Sequence, residues 1–161
     1  MASPVVRKEI YSVDCVLSKI LPYGNGFGEP RACHDVDFDG DPINLCTARM
    51  KLFVNHGTKC VGCGLRGVFF AKEKHIEHAD NLQVCWRLNL YGFDQEGKEV
   101  LMTRDHIIPK SLGGVQHASN FQVMCFNCNA KKGNKVDESL LNRRHKRQTE
   151  MEIKLQEAGI I

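Results

Sequence analysis

Asp105-His106-Ile107-Ile108-Pro109-Lys110-Ser111-Leu112-Gly113-Gly114, then Asn120-Phe121-Gln122-Val123-Met124-Cys125, then Cys128-Asn129, is the stretch that decides the fold. A strand is predicted over residues 99–108, closed by Pro109, which lacks the N–H that a ladder needs. Residues 110–119, with Gly113-Gly114, read as a flexible loop. Residues 121–124 predict a short strand. A helix is predicted from about 126 to about 135. Strand, loop, strand and helix follow one another within forty residues. The Asp-His pair stands at the end of the first strand and Asn129 at the start of the helix.

The stretch carries the second of two Cys-x-x-Cys pairs. Cys60 and Cys63 form the first, Cys125 and Cys128 the second, with 62 positions from Cys63 to Cys125. A Cys-x-x-Cys turn places two sulfurs on one side of a tight bend, and two such turns close a tetrahedral Zn²⁺ shell. One pair alone would fit a thioredoxin-like redox site. Two pairs predict one structural zinc per chain, acting as a long-range staple.

Working outward, residues 86–91 alternate Trp86, Leu88 and Leu90 with Arg87, Asn89 and Tyr91, a strand signal. The turn-rich segment 92–98 joins this strand to the next as an antiparallel hairpin. Residues 64–84 hold no clear period. A helix is predicted over residues 42–55, with Asp41 as N-cap, Pro42 in the first turn and Gly57 as the stop. Ile43, Leu45, Cys46, Met50, Phe53 and Val54 would form most of its buried side. Residues 32–38 predict a strand closed by an Asp39-Gly40 turn. Residues 5–20 fit a short strand or helix, and residues 21–30, with three Gly and two Pro, a loop. The tail, 137–158, reads as helical. The boundaries that follow are an N-terminal strand-helix extension over 1–57, a central domain over 58–135 and a basic C-terminal helix or tail over 136–161.

The composition is that of an ordinary globular chain. It has 161 residues, 42% hydrophobic and 25% charged, enough for one domain with a core. No apolar run approaches the ~18 residues of a membrane span. The first ten residues lack an apolar stretch after their charges, which predicts no signal peptide and a reducing cytoplasm. Eight cysteines in that compartment argue against a disulfide framework. Cys15, Cys33, Cys46 and Cys85 are therefore expected to be small buried hydrophobes.

The net charge is only +3, but it is unevenly placed. Residues 100–147 hold nine Lys or Arg against three Asp or Glu, while the remainder holds 13 against 16. The positive excess surrounds Asp105, His106 and Asn129, and a polyanionic partner is the natural complement. Lys110, Lys131, Lys132, Lys135, Arg143 and Arg144 are the candidate phosphate contacts. A solvated basic face is the plain alternative for the run 143–147.

An imidazole titrates near neutrality, so His106 suits a general base toward water. Asp105 offers carboxylate oxygen, which suits a hard cation such as Mg²⁺. Asp-His alone is a weak signal. The strand–loop–strand–helix context, with Asn129 beside a zinc ligand, gives it weight.

With these residues in place, the chain resembles the His-Asn-His (HNH) endonucleases in its zinc-stapled branch. The resemblance covers residues 58–135, about half the chain. Asn89-Leu90-Tyr91-Gly92 and Leu101-Met102-Thr103 are similar to HNH proteins of large tailed bacteriophages, which would place the chain in a host cytoplasm. The resemblance implies an α+β chain built on a ββα-metal core stapled by four cysteines. It implies that His106 activates water for in-line attack on a DNA phosphodiester, and that Asp105 and Asn129 hold one Mg²⁺ or Mn²⁺. Asn120 would hold the loop and keep His106 oriented, and Lys132 would lie near the phosphate. Products would carry 5′-phosphate and 3′-hydroxyl ends. Many members have His where this chain has Asn129. An amide oxygen still serves a hard ion and disfavours a softer metal.

Two rival functions come from the same residues. One is a zinc-knuckle nucleic-acid-binding module with an inactive centre. The other is an RNA-directed or defence-related nuclease. Cutting both DNA strands with one site would need a dimer or two visits. Two apparent sites are set aside. Asp35 to Gly40 copies the opening of a calcium loop, but its twelfth position is Cys46, not the required Glu. His75, His78 and Cys85 lie at metal-like spacing, but exposed histidines and a core Cys are the preferred reading.

Overall fold

The computed structural model describes residues 4–20 and 35–136. The loop at 21–30, the tail helix, Cys33, Arg143 and Arg144 lie outside the described residues. Among the described residues the main element is a five-stranded antiparallel sheet. Its strands are β1 (Val5–Ser12), β4 (Phe69–His75), β5 (Arg87–Phe93), β6 (Glu99–His106) and β7 (Phe121–Cys125), in the spatial order β1-β4-β5-β6-β7. A second sheet is the hairpin of β2 (Asp35–Phe38) and β3 (Asp41–Asn44). Among the described residues three α-helices accompany the sheets: α1 (Val13–Ser18), α2 (Ala48–His56) and α3 (Phe126–Lys132). It is a mixed α+β chain. No helix among the described residues is long and apolar enough to cross a membrane.

The expected β5–β6 hairpin and the β6–loop–β7–α3 unit are both present. Along β5, Leu88 and Leu90 are buried, as alternation requires. On β6, Met102 enters the same core, while Thr103 and Asp105 face α3, because successive side chains point to opposite sides. Apolar side chains of α1, the β2–β3 hairpin and α2 cover the core face of the sheet. Phe53 of α2 meets Phe70 of β4 edge-on at 6.1 Å. α3 packs on β6 and β7 from the opposite face. Burial of Phe53, Phe70, Leu88 and Leu90 at 1% exposure or less supplies the main driving force.

The predicted helix over 42–55 needs correction. Asp41 to Asn44 is instead strand β3, turned back on β2 through Asp39 and Gly40, whose φ values are 52° and 80°. An Asp-Gly pair with both φ positive is the favoured two-residue hairpin turn. Asp41 is therefore no cap. Its carboxylate pairs with Lys72 at 3.0 Å and Lys8 at 3.1 Å. Thr47 caps α2 by accepting from Met50 N at 3.2 Å, and Gly57 ends it as expected.

Strand β4 was invisible in the sequence because its centre is Lys72-Glu73-Lys74, all buried. Burial is tolerable only because each charge is partnered. Lys72 Nζ also donates to the Phe38 carbonyl at 2.8 Å. Glu73 accepts from Arg7, Asn89 and Tyr91 at 2.7–2.9 Å. Lys74 Nζ donates to the Asn81 carbonyl at 3.1 Å and lies 4.8 Å from the Trp86 ring centre. Trp86 is half-buried, stacked between Lys74 and Lys8.

The remaining cysteines also depart from expectation. Cys15 and Cys85 are exposed. Cys46 is disulfide-bonded, which a burial argument from residue type does not anticipate.

Candidate nuclease and metal sites

The four motif cysteines meet. Their sulfurs all lie within 4.8 Å of one another, although they come from two segments far apart in sequence. The first pair sits on a turn in which Gly64 N donates to the Cys60 carbonyl at 3.0 Å, with Gly64 at φ 79°. Val61 N donates to the Val123 carbonyl at 2.9 Å and fixes this turn to β7. Cys125 closes β7 as the N-cap of α3, and Cys128 follows in the first turn. Within each pair the first sulfur accepts a backbone N–H: Gly62 N to Cys60 Sγ and Cys128 N to Cys125 Sγ, both at 3.4 Å.

Zinc fits this donor set. Bonds of ~2.3 Å at tetrahedral angles put sulfurs about 3.8 Å apart, and Cys63 Sγ lies 3.7 Å from Cys125 Sγ. Burial pushes the Cys60 thiol up, but N–H groups of Cys125, Cys63 and Gly62 outweigh it and bring it down to about 7. Burial and its cysteine neighbours push Cys128 up. Burial likewise raises Cys125. Four thiols this close cannot all ionise on their own, and a divalent cation is the charge that this shell accommodates. Among the described residues this is the single group of three or more His, Cys, Asp or Glu placed to hold a metal. His75, His78 and Cys85 are not brought together as ligands.

The second site lies at the other end of β6. Asp105, His106, Lys110, Asn129 and Lys132 line one pocket, with Arg104 at its side. Asp105 is 6% exposed and accepts from Gln122 Nε2 at 2.7 Å. The Lys132 ammonium lies 2.9 Å from its Oδ2. Lys132 is thus ion-paired to Asp105, where the sequence placed it near a phosphate. Asn129 donates its Nδ2–H to Thr103 Oγ1 at 3.0 Å, and Thr103 donates to the Met124 carbonyl at 2.8 Å. That leaves the amide oxygen as the end of Asn129 available to an ion. One carboxylate and one amide oxygen are hard donors, a set that fits Mg²⁺ or Mn²⁺.

His106 is half-buried at the end of β6. Its Nε2 lies 3.2 Å from Gln116 Oε1, and its ring meets Phe121 edge-on at 4.9 Å. With the amide oxygen accepting, Nε2 carries the proton and Nδ1 is the basic nitrogen. Gln116 had no signal in the sequence beyond its place in the loop.

The loop before β7 is less flexible than its composition predicts. It contains short 3₁₀ turns at Lys110–Leu112 and Ala118–Asn120. Asn120, 2% exposed, ties it together. Its Nδ2 donates to the Ile108 and Val115 carbonyls at 2.9 and 3.0 Å, and its Oδ1 accepts from Ile108 N at 2.9 Å. Asn120 makes no side-chain bond to His106. It holds the backbone two residues beyond it. Gly114 is required here, because a Cβ would overlap the Ile108 carbonyl.

Of the other basic candidates, Lys110 lines the pocket. Lys131 and Lys135 are exposed. Helix α3 stops at Lys132, three residues before the expected end, because Gly133 takes φ 53°.

Comparison with known proteins bears on this site. A family model described as HNH endonuclease matches residues 94–145, about a third of the 161 residues. The match begins in the β5–β6 turn and takes in β6, β7 and α3. No curated protein and no solved structure matches the chain. Such a match implies a nucleic-acid substrate. Over residues 94–145, the chain is similar to the HNH endonuclease family.

Proposed function

We propose that the protein is a metal-dependent endonuclease that hydrolyses DNA phosphodiester bonds, by nicking or weakly specific cleavage. One observation carries this: a histidine with an oriented ring, a buried carboxylate and an amide oxygen line a single pocket at the junction of β6 and α3. A zinc staple needs none of these three.

His106 takes the proton of the attacking water at Nδ1, while Gln116 holds Nε2–H. Asp105 and Asn129 would hold the divalent ion, which, when bound, stabilises charge growing on the phosphoryl group and the leaving oxygen. Gln122 and Lys132 keep the Asp105 carboxylate in place. Asn120 fixes the loop that carries Gln116. The four cysteines would hold zinc, anchoring α3 and therefore Asn129 against β6.

Supercoiled plasmid with Mg²⁺ or Mn²⁺ tests the reading. The wild-type chain nicks it and His106→Ala does not. Equal cutting by both sinks the assignment of the base. Tight DNA binding without cleavage identifies a binding module instead, and cutting confined to RNA transfers the same chemistry to that substrate.

A further inference from the structure

We propose that Arg49, Arg87 and Arg104 form a phosphodiester-binding cleft that leads a nucleic-acid strand to His106. The proposal rests on the nuclease reading of the His106 pocket and adds the surface over which its substrate runs. The three arginines come from α2, β5 and β6, and no charge run in the sequence joins them. They meet in one cavity of about 570 Å³ between the start of α2, the β2–β3 hairpin and the ends of β5 and β6.

Three observations mark it as an anion site. First, among the described residues none of these guanidinium groups is ion-paired with a carboxylate, whereas Arg7 on the same sheet pairs with both Glu73 and Glu99 at 2.8 Å. Second, they are close enough to repel. Burial lowers the pKa of Arg49, and the positive charges of Arg87 and Arg104 lower it further. Arg49 answers with one neutral bond, Nη2 to the Leu88 carbonyl at 2.9 Å. Among the described residues Asp35 is the one carboxylate in the lining. Collecting like charges costs folding free energy, and an incoming polyanion relieves it.

Third, the cleft runs into the candidate active site. Arg104 lines both the cavity and the pocket of Asp105, His106 and Asn129. Its guanidinium lies 4.3 Å from the centre of the Phe121 ring, the same ring that meets His106. One aromatic side chain therefore sets both a cation and the base. Guanidinium is weakly hydrated and presents a planar fork, which suits phosphodiester oxygens better than ammonium does. Trp86, also in the lining, is held by Lys8 and Lys74, so its role is to place those charges.

Single-stranded DNA, duplex DNA and single-stranded RNA share this chemistry, and the test separates them. Fluorescence anisotropy on 20-nucleotide probes of each kind is run with the full chain carrying His106→Ala, without added Mg²⁺ or Mn²⁺, from low to high salt. Adding Arg87→Gln and Arg104→Gln weakens binding roughly tenfold or more, and flattens the plot of log K against log salt by about 1.4 to 1.8, as expected for two lost phosphate contacts. The probe showing the larger loss names the substrate form. Lys98→Gln, on the exposed β5–β6 turn, leaves the slope unchanged. Melting curves check folding, and if the double variant fails to fold, Arg87→Gln alone decides, since Arg87 is exposed. Unchanged affinity and slope on all three probes overturn the cleft, as does a parent that binds none of them. Loss of plasmid nicking by the wild type, with arginine-dependent binding intact, would overturn the nuclease reading and leave the cleft standing.

Discussion

The Lys132 ammonium lies 2.9 Å from Asp105 Oδ2 and 3.2 Å from Oδ1, and 2.6 Å from the His106 carbonyl oxygen. Both side chains are under 10% exposed. One cation on α3 thus holds the last two residues of β6. Removing it leaves a buried carboxylate with Gln122 as its side-chain partner.

Lys132→Met is accordingly expected to lower unfolding free energy by about 3 kcal/mol, the usual order for breaking a buried pair from one side. Adding Asp105→Asn removes the stranded charge and should recover at least about 1 kcal/mol. Urea unfolding of the two single variants and the double closes the cycle. Simple additivity of the two losses would count against the pair.

The zinc staple makes a prediction about metal content. Purified and dialysed protein should contain about one zinc per chain. Cys128→Ser should lose it and unfold at lower temperature, because the shell ties the Cys60 turn to α3. Elemental analysis with thermal melting reads both, and a zinc-free chain that melts like the native one excludes the staple.

Loop closure before β7 is the third target. Asn120→Ala removes three buried hydrogen bonds and leaves backbone groups of Ile108 and Val115 without them. A loss of about 2–4 kcal/mol is expected. Gly114→Ala attacks the same contact sterically. Both should cut plasmid nicking at least about tenfold while zinc content stays constant, since neither residue touches the cysteines. Nicking at the native rate in both variants would show that loop order is irrelevant to His106.

The ββα unit was legible in the sequence because its signals are local. Alternation marks β5, Pro109 ends the strand, and the cysteine spacing names its own partners. What failed depended on tertiary pairing. Lys72, Glu73 and Lys74 look like a solvated run, and partners from elsewhere in the chain make their burial tolerable: Asp41 and Phe38 for Lys72, Arg7, Asn89 and Tyr91 for Glu73, Asn81 and Trp86 for Lys74. Pro42 suits a first helical turn by its φ, but the Asp39-Gly40 turn binds it into a hairpin first. In the site, His106 and Asp105 could be picked out from their motif. Gln116 and the partner of Lys132 could not, because neither follows from spacing.

The last prediction concerns acid. Partial burial pushes the Asp41 carboxyl up, and the ammonium groups of Lys72 and Lys8 outweigh it, holding it below the usual carboxylate range. A carboxyl lowered in the folded state stabilises fully above its unfolded value of about 3.9. That contribution disappears as pH falls through the lower, folded value. Asp41→Asn should therefore destabilise the chain by about 1–3 kcal/mol at pH 7, mostly by leaving Lys72, 1% exposed, without its counter-charge. The gap between native and variant should stay constant from pH 7 to about 5 and narrow below about 4. Urea unfolding at a series of pH values measures it. A gap that widens as the pH falls would mean that Asp41 is not the charge that keeps Lys72 buried.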